Sequence, residues 1–344
     1  MLLILVMLAL TVAGCVTWWL LRPDARLATL DVPNDRSLHA TPVPSGGGLG
    51  VLAALFSGGC IAAASGRLDW CAAVILSGTL TIAAVSYVDD RRGLGVLPRL
   101  GTHFAVSAIV IFVADLVPAV IRLPGVALDV PTIFLVLGAL FGSVWLTNLF
   151  NFMDGMDGFA GGMAVAGFST LALLSGSEVP ALTAIAVLAA AGSAGFLIFN
   201  FPPARIFMGD VGASALGFLA AALILWGDVS GAFPWWLGAL AFAVFIADAT
   251  VTLGRRAWRG ERFWQAHRTH FYQRLVTLGW THRRTVLMYY CVMSVTSVLT
   301  LSAERMNVPG QWLCIALAVL VLGVHMVVIA AWERRVQDLS GQAP

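Results

Sequence analysis

Eleven stretches of near-continuous apolar sequence dominate this chain of 344 residues. Each is close to the roughly 20 residues that an α-helix needs to cross the hydrocarbon core of a bilayer. Their approximate limits are 1–21, 47–66, 70–88, 101–121, 131–149, 160–176, 180–199, 211–229, 234–253, 284–302 and 311–332. Strands of a membrane barrel alternate apolar and polar side chains. These runs do not, so the sequence predicts an all-α, polytopic integral membrane protein with about eleven transmembrane helices. Charge agrees, because only 11 % of residues are charged and 59 % are apolar. A soluble domain carries roughly 25 % charged residues. The shortfall excludes a compact soluble enzyme, and the apolar content excludes a disordered chain. Nothing between the runs reads as a separate domain, so residues 1–344 are expected to form one membrane-embedded unit.

Charge placement predicts an orientation. Every basic residue is Arg, and none precedes Arg22. The first run therefore lacks the basic segment of a secretory signal, and it is expected to be a retained span with its N-terminus outside. Eleven spans then put 22–46, 89–100, 150–159, 200–210, 254–284 and the tail from 333 in the cytoplasm, C-terminus included. These segments hold 17 of the 20 Arg, as the positive-inside rule requires. The net charge of +2 gives no reason to expect a nucleic-acid partner. The five cysteines fall in apolar runs without metal-ligand spacing and read as packed or lipid-buried thiols.

The same orientation collects the unusual polar residues at one interface: Asp89, Asp90, Asp154, Asp157, Asp210, His267 and His270. Charged groups at lipid depth cost several kcal/mol, and a cluster at one membrane face suggests one site built from several loops. Between spans 5 and 6, Asn151, Asp154 and Asp157 lie among glycines. Carboxylates three residues apart can share one side of a helical turn, and hard oxygen ligands suit Mg²⁺ completed by substrate phosphates. A polar turn capped by glycines is the plainer reading. Asp89 and Asp90 close span 3, where adjacent helix positions diverge by about 100°. One is expected to serve a metal or act as a base and the other to pair with an Arg, against the plainer reading of a solvated helix end.

Asp210 precedes span 8 and reads either as an N-cap or as a second carboxylate for the same cation. Arg205, nearby, could hold a phosphate. The first loop offers Arg36, Ser37 and His39 as phosphate donors among prolines and glycines. The last loop carries His267 and His270, three apart, with Tyr272, Gln273 and several Arg. It reads either as a basic segment for anionic lipid heads or as a diphosphate and sugar site. Two histidines without a third ligand are a poor zinc site.

Taken together, NFMDGMDGFAGG (151–162), PARIFMGDVG (203–212), Val88 to Asp90 with Arg99-Leu100, and DVPNDRSLHATPVP (31–44) resemble one family. It is the polyprenyl-phosphate N-acetylhexosamine-1-phosphate transferases, glycosyltransferase family 4. The resemblance covers about residues 31–290. It implies transfer of a sugar 1-phosphate from a UDP-N-acetyl-sugar to polyprenyl phosphate, releasing UMP, with Mg²⁺ (or Mn²⁺) as cofactor. Carried over by position, Asp157 and Asp210 become metal residues and Asp89 and Asp90 the acidic pair at the acceptor. His267 and His270 fall near the donor diphosphate, and Asn151 and Asp154 match the same family motif in supporting roles. Asp248 also fits a family position, with pairing to Arg255 or Arg256 as its plainer reading. The implied partners are the nucleotide sugar, the polyprenyl phosphate and membrane lipid, with a second copy of the chain as a further candidate. The implied location is the bacterial inner membrane, with the site facing the cytoplasm.

Two departures refine the resemblance. Ser45 stands where many members have a basic residue, and HRTHFYQRL (267–275) lacks the run of three His of the peptidoglycan enzyme. The pattern is closer to members that start O-antigen or other surface glycans. Direct attack by the lipid phosphate and a phospho-aspartyl route both stay open. The alternative class is a transporter or lipid flippase. It would need ionisable groups near the midplane, where Asp115 and His325 are the few candidates, and no internal repeat is evident.

Overall fold

The computed structural model describes residues 1–33, 38–39, 41–262 and 267–340. In chain order the elements are α1 (Leu2–Leu20), β1 (Thr29–Asp31), β2 (Val43–Ser45), α2 (Gly48–Ala64), α3 (Trp70–Arg92), α4 (Val96–Val113), β3 (Ile121–Leu123) and β4 (Val126–Leu128). They continue with α5 (Thr132–Met153), α6 (Phe159–Ser175), α7 (Pro180–Asn200), α8 (Asp210–Ser230), α9 (Trp235–Ala241) and α10 (Ala243–Trp258). The last are α11 (Phe271–Thr277), α12 (His282–Glu304) and α13 (Val308–Ser340). Helices predominate because a spanning segment must satisfy its backbone hydrogen bonds internally. The chain is an all-α polytopic membrane protein.

All eleven apolar runs appear as helix, but not as eleven equivalent spans. Among the described residues eight helices are long and apolar enough to cross a membrane. α2 and α6 have 17 residues each, about 26 Å of helix and the short end of the spanning range. The ninth run, read as one continuous helix, is broken into α9 and α10 by an 83° bend. The bend falls beside Phe242, which is fully buried against Phe150 and Phe168. Gly167 opens the slot, since a Cβ there would sit 2.2 Å from the Phe242 ring.

The fourth run needed a larger correction. α4 starts five residues before the predicted 101 and ends at Val113. Pro118 offers no N–H to continue a helix, and the chain instead forms the antiparallel β3–β4 hairpin across Pro124-Gly125. The early start places Arg99 in the first turn of α4.

Two helices form the centre of the bundle. α8 is 89 % buried along its apolar window and α7 is 72 % buried, against 22 % for α1 and 28 % for α13. Small residues allow the close approaches that membrane helices use in place of a hydrophobic driving force. A Cβ on Gly195 of α7 would lie 2.5 Å from the Leu10 carbonyl of α1, and a Cβ on Gly48 of α2 would lie 2.3 Å from Gly212 of α8. Outward-facing apolar side chains such as Leu3, Phe134 and Val319 remain for lipid.

Candidate active site

The loops assigned to one membrane face converge on a cavity of about 770 Å³. Asp31, His39 and Ser45 reach it from the first loop, Asp89 and Asp90 from the end of α3, and Arg99 from α4. Asn151, Asp154 and Asp157 enter between α5 and α6, and Asp210 enters at the start of α8. His267, His270, Gln273 and His282 complete it.

Its floor is made by backbone. β2 pairs with β1 and also forms a parallel bridge from Ser45 to Phe207. Phe207 donates its N–H to the Pro44 carbonyl at 2.8 Å. Gly47 and Gly48 donate theirs to the carbonyls of Phe207 and Met208 at 2.8 and 2.9 Å. Asn200 joins the other two loops. Its Oδ1 accepts the Gly158 N–H at 2.9 Å and its Nδ2 donates to the Ile206 carbonyl at 2.8 Å.

The neighbouring carboxylates of α3 do different things, as their divergent helix positions predict. Asp89 pairs with Arg99, Nη1 to Oδ2 at 2.6 Å, and the same Nη1 reaches Asp210 Oδ2 at 3.1 Å. Asp90 accepts the backbone N–H groups of Asp210 and Val211, each at 3.2 Å. It thus caps α8 from a distant helix, whose own N-cap, Gly209, has no side chain to offer. Gly209 has φ +76°, and a Cβ there would meet Asp90 Oδ2 and Ser45 Oγ at 3.0 Å. The Arg expected to pair with one of them is thus Arg99, while neighbouring Arg91 donates to the Arg26 carbonyl and lies over the Tyr87 ring.

Asp154 and Asp157 also separate. Burial pushes the Asp154 carboxyl well above its usual range, and the negative charges of Asp210, Asp90 and Asp31 push the same way. Asp157 accepts from His282 Nδ1 at 3.0 Å and from the Ala204 N–H at 3.0 Å. Burial alone would raise its carboxyl, but these two hydrogen bonds and the His282 charge outweigh it and hold the group below the usual carboxylate range.

In the last loop His267 and His270 lie with ring centroids 4.9 Å apart. Burial lowers His267 to about 4, helped by His270 and Arg256. Asp248 does not pair with Arg255 or Arg256. It turns the other way, to His270 and the start of α11. Arg205 is exposed, with its guanidinium 5.5 Å from the Phe199 ring centroid, and it is not part of the cavity lining. Arg36 lies outside the described residues. Sequence reasoning missed His282. Its signal was present, a His directly after a Thr N-cap (Thr281 accepting from Arg284) at the same predicted membrane face.

Among the described residues no three His, Cys, Asp or Glu side chains are grouped closely enough to hold a metal by themselves. Mg²⁺ takes one or two protein carboxylates and completes its shell with water and substrate phosphates. A cavity where Asp154, Asp90 and Asp210 repel one another fits such an ion, while the donor set does not fit an all-protein zinc site.

Comparisons with known proteins point to one family. The sequence pattern described as glycosyl transferase family 4 matches residues 72–228. The chain is 26 % identical over 317 residues to a probable undecaprenyl-phosphate N-acetylglucosaminyl 1-phosphate transferase of Bacillus subtilis, covering 89 % of this chain and 84 % of that protein. It is 29 % identical to a decaprenyl-phosphate N-acetylglucosaminephosphotransferase of Mycobacterium leprae, covering 90 % and 85 %. It is 32 % identical to a phospho-N-acetylmuramoyl-pentapeptide-transferase of Synechococcus, covering 64 % and 68 %. The matched residues 72–228 include Asp89, Asp90, Asp154, Asp157 and Asp210 of the cavity, and the chain belongs to glycosyl transferase family 4, a family of membrane enzymes.

Proposed function

We propose that this enzyme transfers an N-acetylhexosamine 1-phosphate from a UDP-sugar to polyprenyl phosphate, releasing UMP. The cavity opens to the cytoplasm of a bacterial cell, and the product starts a surface glycan such as O-antigen. One observation carries the reading: five carboxylates, two from α3, two from the α5–α6 loop and one from α8, crowd one cavity together with Arg99, whose guanidinium bridges Asp89 and Asp210. That is a site made for an anionic, metal-accompanied substrate. The relatives' polyprenyl-phosphate acceptors support the lipid substrate. The HRTHFYQRL sequence at 267–275 supports the surface-glycan branch over the peptidoglycan one. Membership in a transferase family sets aside the transporter alternative.

The reaction joins two anions, so charge and alignment set its difficulty. An oxygen of the lipid phosphate attacks the sugar-linked phosphorus. The bond from that phosphorus to the bridging oxygen breaks, and UMP leaves with the electron pair. The acceptor is already ionised at neutral pH and needs little activation. Asp157 and Asp210 are the proposed metal residues, with Asp154 as the third candidate. Bound Mg²⁺ would neutralise charge on the nucleotide diphosphate. Arg99 offers the incoming phosphate a cation already held in place by Asp89 and Asp210. Asp90 fixes the start of α8, and with it Asp210, relative to α3. His267 and His270 present ring nitrogens to the donor side of the cavity.

Purified protein incubated with undecaprenyl phosphate and a panel of UDP-N-acetyl-sugars tests this. Release of UMP that depends on both substrates is expected. Absence of UMP with every sugar overturns the reading.

A further inference from the structure

The loop that brings His267 and His270 to the cavity is tied to the membrane domain by one buried carboxylate. Asp248, on α10, is 1 % exposed. Its Oδ1 accepts from His270 Nδ1 at 3.2 Å, from the Phe271 N–H at 3.0 Å and from Thr252 Oγ1 at 3.2 Å. Its Oδ2 accepts from the Tyr272 N–H and the Tyr289 hydroxyl, each at 3.3 Å. Three elements, α10, the start of α11 and α12, therefore meet on one side chain.

A carboxylate taken out of water must be well satisfied, and five donors do that. The Phe271 and Tyr272 N–H groups would already anchor the loop. The fifth donor is different in kind, because an imidazole has two distinct nitrogens and the partner of one decides the role of the other. His270 lines the cavity. With Nδ1–H given to Asp248, Nε2 is the nitrogen left for whatever the cavity holds. The ring is also held on its faces, 4.9 Å from the His267 ring and stacked 5.9 Å from Tyr272. Gly155 leaves space for this packing, since a Cβ there would lie 2.3 Å from the Tyr272 hydroxyl.

We propose that Asp248 is a positioning residue for the transfer: it keeps a proton on Nδ1 of His270 and so presents Nε2 to the diphosphate of the nucleotide sugar. The proposal rests on the transferase reading for the identity of that ligand. A ring protonated at Nε2 as well donates there to a phosphate oxygen, while its Nδ1 proton stays with Asp248. Loss of the carboxylate frees the ring to turn over, so that Nε2 is no longer held toward the cavity.

The test uses full-length protein in detergent with three variants: Asp248→Asn, His270→Gln and the double substitution. Asp248→Asn keeps the size and one oxygen for the amide donors. Expected is a tenfold to hundredfold fall in kcat/KM, the range found when the partner of a ligand-positioning imidazole is lost. In the His270→Gln background the same change should cost less than about twofold, because Asp248 acts through that ring. Equal losses in both backgrounds would reduce Asp248 to a loop anchor and overturn the proposal. Nitrogen-15 spectra of labelled histidine, with His270 assigned by its loss in His270→Gln, give a readout independent of turnover. They should show His270 protonated at Nδ1 in the unsubstituted protein, and a proton on Nε2 alone overturns the proposal even if Asp248→Asn does not fold. If the unsubstituted protein releases no UMP with any sugar, the transferase reading fails, while the spectra still decide the Asp248–His270 contact.

Discussion

The carboxylate of Asp90 accepts the backbone N–H of Asp210 at 3.2 Å across 120 residues of sequence. One acidic residue of the cavity thus sets the position of another, through main chain rather than through a shared ion. Asp90→Ala removes this trans cap. It should lower stability by about 1 kcal/mol, the usual cost of a lost cap, and it should reduce UMP release as well. Asp90→Asn, which keeps an acceptor oxygen, should recover most of the melting temperature. Equal melting temperatures for the alanine variant and the parent would show that the cap carries no weight.

Asp210→Ala and Asp157→Ala should each abolish UMP release while leaving the protein folded in detergent, judged by its elution on gel filtration. Asp157 holds His282 at 3.0 Å, so His282→Ala should weaken activity by a smaller factor than Asp157→Ala. Full turnover in the Asp210 variant would remove that residue from the metal site.

Chelation offers an independent check on the cation. EDTA should stop turnover, and Mg²⁺ or Mn²⁺ added back should restore it, because among the described residues the carboxylates alone do not enclose an ion. Turnover that persists in EDTA would contradict the metal scheme.

Acid should loosen the last loop. His267 is lowered to about 4 in the folded chain, first by burial, against roughly 6.5 when unfolded. The unfolded chain therefore binds more protons between those values, and stability falls as pH drops from about 6.5 toward 4. Asp157, held below its usual range, adds a further loss at lower pH, as its carboxylate is protonated. Asp154, raised by burial, works the other way over the same range, so the His267 part is read by difference: the melting temperature of the parent relative to His267→Gln should fall from pH 7 to 5. An unchanged slope in that variant would assign the decline to other groups.

The spans and the polar face were legible in the sequence because both depend on local composition: apolar runs of bilayer length and Arg concentrated in alternate loops. The bend at Phe242 was not, since no Pro or Gly marks the break and the cause is a slot opened by Gly167 on another helix. Asp248 illustrates the same limit. Its nearest basic neighbours in sequence are Arg255 and Arg256, yet its partners lie on two later elements. Asp157 and Asp154 could not be told apart by spacing. What separates them is His282, 125 positions after Asp157, which takes one carboxylate and leaves the other among like charges.

Residues 44–48 and 207–208 are joined by main-chain hydrogen bonds. Such amide-to-amide contacts constrain side chains only where the backbones approach closest, at Gly47 and Gly48. Exchange of residues elsewhere along the rim should therefore leave the scaffold beneath the cavity in place.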